Sequence, residues 1–141
     1  MATERALLQQ LAKLRLDEAK LLAREGQFSG AYYIAGYAVE CALKAQIAAL
    51  FLGNEIPDKN LVNQVYTHDL AALLSLAGLQ KPLEIERQND SELDRRWSIV
   101  KNWTEQARYS TWTEQQAADI IDAIDGDGKT EGLFQWLSAR W

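Results

Sequence analysis

The sequence predicts an all-α fold, an up-and-down helical bundle of five to six helices built on a long antiparallel N-terminal helix pair. Apolar residues recur at helical spacing along most of the chain, and no stretch alternates strictly enough to mark a strand. Residues 30 to 44, GAYYIAGYAVECALK, are apolar nearly all round, the pattern of a helix inside a bundle rather than on its face. Only a few residues separate this run from the helical stretch before it, and a short link between two long helices makes them antiparallel neighbours.

The first helix is expected over residues 3 to 25, where Leu7, Leu11, Leu14 and Leu21 recur with Leu8, Ala19 and Leu22 beside them and charged residues opposite. Gly26 ends it, and Ser29 is the candidate N-cap of the second helix, which runs to about residue 52. Gly36 lowers helix propensity inside that run, so it marks the close approach of a neighbouring helix. Residues 53 to 66, with Gly53, Pro57 and several asparagines, read as a loop. Thr67 caps a short third helix, HDLAALLSLA, which has Asp69 in its first turn and Gly78 at its end. After the interruption at Pro82, a fourth helix opens at Asp90 or Ser91 and buries Leu93, Trp97, Val100 and Trp103. Thr113 and Gln116 have capping-box spacing and start a fifth helix, which carries Ala117, Ile120, Ile121 and Ile124 to Gly126 and Gly128. A last helix from about residue 130 presents Leu133, Phe134, Leu137 and Trp141.

At 141 residues the chain fits one domain, residues 1–141, large enough to bury a core without disulfides or a structural metal. Its hydrophobic runs are broken by charge too often to span a bilayer, and the start, MATERALLQQ, lacks the order of a secretory signal. The one cysteine, Cys41, reads as a small core residue and suits a reducing compartment, so a cytoplasmic location and no membrane are expected. A net charge of −5 excludes the broad basic field that would hold a DNA duplex, and leaves room only for a local RNA contact. The groups Lys13 with Arg15, and Arg95 and Arg96 with Lys101, read as solvated helix faces. One histidine, one cysteine and an acidic tract without calcium-loop spacing point to no metal, and no glycine-rich phosphate loop points to a cofactor.

Chemistry concentrates on the second helix. Tyr33, Tyr37, Glu40 and Lys44 fall at i, i+4, i+7 and i+11, so two hydroxyls, a carboxylate and an ammonium share one stripe. A carboxylate in so apolar a run needs partners; Lys44 is one, and Arg108, with Tyr109 beside it, is expected to complete the polar network or ligand site. Arg108 also suits a phosphate, because its planar fork donates paired hydrogen bonds. Of the five tryptophans, Trp97, Trp103, Trp136 and Trp141 are assigned to core and dimer contacts; Trp112, next to Arg108, is the candidate for stacking on a base.

The helix AYYIAGYAVECALKA, the THDL of residues 67 to 70, and the later Trp103 with Arg108 and Tyr109 together resemble the HEPN family, the higher eukaryote and prokaryote nucleotide-binding domains, over nearly the whole chain. The resemblance implies a helical bundle, a homodimer, and association with nucleotides or RNA, often beside a small nucleotidyltransferase that serves as antitoxin. In RNA-cutting members it implies a metal-independent site at the dimer interface, where an arginine is followed a few residues on by a histidine. Here YSTWTEQQAADI follows Arg108, and the only histidine of the chain is His68, upstream on the third helix. Without an imidazole beside the arginine, proton transfer at a ribose hydroxyl lacks its usual agent. The expectation is therefore a non-catalytic nucleotide-binding or protein-interaction module of a toxin–antitoxin-like or defence system. Two alternatives stay open: a divergent ribonuclease toxin using Arg108 with His68 or Glu40, and a purely structural partner subunit.

Overall fold

A computed structural model of the chain describes residues 3–141. Among the described residues there are eight α-helices, one short 3-10 helix and no strand. Helices α1 (Arg5–Arg24) and α2 (Phe28–Ala48) form the antiparallel pair, joined through Gly26 in the left-handed region at φ 77°. Then come α3 (Lys59–Val65), α4 (Leu70–Leu76), α5 (Gln80–Asn89) and α6 (Ser91–Val100), the 3-10 helix (Glu105–Tyr109), α7 (Glu114–Asp125) and α8 (Leu133–Ser138). Their buried side chains form one apolar cluster with α2 at its centre.

The inner face of α1 is not the leucine stripe. Leu7, Leu14 and Leu21 are about half exposed, while Ala12, Leu16 and Ala19 are buried. Small side chains let helix backbones approach closely, and α2 is alanine-rich, with Ala31, Ala35, Ala38, Ala42 and Ala45 all at 0% exposure. On α1 the buried side combines two alanines with Leu16, and Leu11 packs beside it. Helix α2 is buried on nearly every side, and Tyr33, Tyr37 and Lys44 lie on the narrow strip that solvent reaches.

Gly36 has the close neighbour its position calls for, but the neighbour is a side chain. The Trp103 indole lies against it, and any Cβ at position 36 would collide with that ring. Trp103 leads into the 3-10 helix, so this contact sets where Glu105 and Arg108 meet α2. The buried stripe Leu93, Trp97, Val100 and Trp103 is present as expected. So is the capping box of α7: Thr113 Oγ1 accepts from Gln116 N, and Thr113 N donates to Gln116 Oε1 at 2.9 Å.

Several local expectations shift. Helix α2 begins at Phe28 with Gln27 as its cap, and Ser29 Oγ instead accepts from the Trp112 backbone N–H at 2.8 Å, tying the start of α7 to α2. It ends at Ala48 rather than near residue 52. The expected loop contains α3, capped by Asp58, which accepts from Leu61 N at 3.0 Å. Pro82 does not break the chain but sits in the first turn of α5, where a missing N–H costs no intrahelical bond. The cap of α4 is Asp69, which accepts from Ala71 and Ala72, while Thr67 accepts only from Asp69 N; His68 therefore precedes the helix instead of belonging to it.

Arg96 is the largest correction among the charges. It is 2% exposed, and its guanidinium donates to Glu131 O and, at 2.7 Å, to Thr130 Oγ1, pinning the α7–α8 turn to α6. The signal was its register: Arg96 lies three residues after Leu93 and four before Val100, on the buried stripe itself.

Candidate functional site

The central polar group is Glu40, 3% exposed within the apolar body of α2. Such a carboxylate persists only with its oxygens filled. Lys44, one turn on, donates from Nζ to Oε2 at 3.1 Å. His68, from the turn before α4, places Nδ1 2.9 Å from Oε1. The second nitrogen of the ring, Nε2, lies 3.0 Å from Glu105 Oε2 on the 3-10 helix. Ionised carboxylates only accept hydrogen bonds, so a ring carrying both protons satisfies both partners at once, whereas a neutral tautomer satisfies one. The imidazole thus clamps three elements together: α2, the α3–α4 turn and the 3-10 helix.

Arg108 is not the third partner of Glu40; His68 takes that place. Arg108 is exposed, with its guanidinium 5.0 Å from the centre of the Tyr109 ring. Interaction with the Tyr109 hydroxyl, and then with that of Tyr33, raises its proton affinity further above the ordinary arginine value. Tyr33 in turn stacks with Trp103 at a centroid distance of 6.0 Å. The predicted residues therefore divide into two groups along one face of α2: Glu40, Lys44 and His68 at one end, Tyr33, Arg108 and Tyr109 at the other. Tyr37, between them on the stripe, turns to Cys41; burial, then the Cys41 and Glu40 charges, push its hydroxyl pKa up. Burial likewise raises the Cys41 thiol to about 11, which keeps it an inert thiol at neutral pH.

Trp112 is partly buried, and one face of its ring is already taken. It lies parallel to Tyr32 at 3.7 Å, and its Nε1 donates to Ala107 O at 2.9 Å. No group of three or more histidine, cysteine or acidic residues is placed to hold a metal among the described residues. The Glu40–His68–Glu105 row explains why: the two carboxylates sit on different nitrogens of the ring, so their oxygens do not converge.

A comparison with protein-family models matches residues 5–136 to the HEPN domain. The chain belongs to the HEPN domain family. No curated protein and no solved structure gives a match. No helix of this HEPN domain is long and apolar enough to cross a membrane among the described residues. Glu105 is the residue of the site that sequence reasoning did not single out. It stands in a short polar segment without periodicity, and only the fold brings it to a histidine 37 positions upstream, a separation taken from their numbers.

Proposed function

We propose that this HEPN domain is a non-catalytic module that binds a nucleotide through phosphate contact at Arg108 and works as a cytoplasmic homodimer. Its partner would be a protein such as a small nucleotidyltransferase, in a toxin–antitoxin-like or defence setting. One observation carries the reading. The only imidazole of the chain is held by carboxylates on both ring nitrogens, whereas the exposed Arg108 is flanked by tyrosines that leave its charge available. A cation open to an anionic ligand, without a free base beside it, suits binding better than proton transfer. The half-exposed Leu7, Leu14 and Leu21 supply apolar surface for a second copy.

Calorimetric titration with ATP tests the reading: heat with the wild type, lost in Arg108→Ala at unchanged melting temperature, supports it. The absence of heat with every nucleotide favours the purely structural subunit. The ribonuclease alternative has one specific observation behind it, the 2.9 Å Glu40–His68 pair, in which a carboxylate orients an imidazole. RNA cleavage by purified protein, abolished in Arg108→Ala, would overturn the non-catalytic reading. Light scattering at micromolar concentration tests the dimer, and a monomer there removes it from the proposal.

A further inference from the structure

At the end of the α1–α2 pair remote from Arg108, a groove of about 370 Å³ opens between α1, the C-terminal turn of α2 and α3. Leu8, Ile47, Phe51, Val62 and Val65 make its walls. Among the described lining residues Lys44 is the single charged one, and the exposed Tyr66 stands at the rim. This sets it apart in a chain whose net charge is −5. The cavity beside Trp136 mixes Glu86, Asp90, Glu92 and Glu131 with Arg96 and Arg140, and the one between α1 and α7 mixes Glu114 and Asp122 with Lys20 and Arg24. The one beside α8 has Asp17 with Lys13, so each of these carries acids that the groove lacks.

We infer that this groove is a binding site for a small amphipathic anion, with its apolar tail among Leu8, Phe51 and Val62 and its carboxylate or similar head on Lys44. The ammonium of Lys44 has three N–H donors, and Glu40 takes one of them at 3.1 Å. Glu40 keeps its second partner, His68, so a ligand head engages the lysine without stripping the buried carboxylate. The volume is that of about a dozen waters at ~30 Å³ each, enough for a short aliphatic or aromatic tail and at the small end of ligand pockets. Among the described residues no acidic side chain lines the groove, and Glu40, whose carboxylate pairs with Lys44, is 3% exposed and does not reach it, so the lining favours an anionic head over a cationic one. The inference is independent of the nucleotide reading, which concerns the other end of α2.

The test is calorimetric titration of the full chain with octanoate, octan-1-ol and octylammonium, all below their micellar range. The wild type is expected to bind octanoate at least about ten-fold more tightly than the alcohol, the effect of one charge-assisted hydrogen bond, and the ammonium least. Lys44→Met should bring octanoate and the alcohol to within about two-fold of each other. Because that change also touches Glu40, a second variant keeps the test sharp: Val62→Trp fills the groove, leaves Lys44 and Glu40 in place, and should weaken both ligands at least about ten-fold. Equal binding of the three probes by the wild type, or binding that Val62→Trp does not alter, overturns the inference. So does a wild type inert to octanoate whose self-association is lost in Val62→Trp, since a second copy then covers the groove.

Discussion

Replacing Glu40 by alanine removes the shared acceptor of Lys44 and His68, and the structure ranks what each loss costs. The Lys44 side chain is 21% exposed and cannot fully rehydrate when its acceptor disappears, so most of the worth of one charge-assisted bond, about 1.5 to 3 kcal/mol, is lost there. The His68 side chain is 50% exposed, so its bond behaves as a surface pair and adds no more than about 1 kcal/mol. Together they give about 3 kcal/mol, at the lower edge of the cost of breaking a buried pair. An unfolding entropy of about 2.1 cal/mol/K per residue over 141 residues comes to ~0.3 kcal/mol/K, so the melting temperature should fall by about 10 °C. Thermal melts followed by circular dichroism, with urea titrations showing an unchanged m-value, measure this. Glu105→Ala, which removes only the exposed carboxylate on the other side of His68 and leaves both oxygens of Glu40 paired, is the internal control and should cost no more than about 3 °C. A Glu40→Ala variant that melts within about 2 °C of the wild type, or a Glu105→Ala variant as damaged as Glu40→Ala, would refute the ranking by burial.

Gly36→Ala forces a methyl group into the Trp103 indole and should destabilise by about 2 to 3 kcal/mol, with a changed tryptophan emission; Trp103→Leu in the same chain should recover part of the loss. Arg96→Met should cost about 3 kcal/mol and speed hydrogen exchange over residues 127 to 132, because the turn loses its tie to α6. The raised Cys41 thiol gives a pH dependence of definite sign. Its contribution is full below the ordinary thiol range and is lost as pH rises through about 11, so from pH 8 to 10 the wild type should lose about 1 kcal/mol more stability than Cys41→Ala, read from urea titrations at each pH.

What the sequence revealed depended on how local each determinant is. The α7 capping box joins residues three apart, and the stripe from Leu93 to Trp103 repeats within one helix, so both could be read from spacing alone. The polar stripe of α2 was visible for the same reason. Its partner was not: Glu40 finds His68 28 residues away and not Arg108, a choice made by how the α3–α4 turn folds back. Helix α3 depends on Asp58 as its cap directly after a proline, and α5 accepts Pro82 in its first turn; composition alone made both segments look like connectors. For Arg96 two local signals conflict, since its charge points to solvent while its register places it with Leu93 and Val100, and the register prevails because Thr130 and Glu131 supply acceptors for the guanidinium.

The two apolar sides of α1 pose a problem of choice during folding. The buried side combines Ala12 and Ala19 with Leu16, and Leu11 packs against the core beside them, while Leu7, Leu14 and Leu21 form a second apolar row left about half exposed. With two apolar rows on one helix, burial of area alone does not choose the rotation of α1; the small Ala12 and Ala19, which admit a close approach of another backbone, distinguish the native side. The helix therefore carries a local conflict between two apolar sides that its packing against α2 resolves.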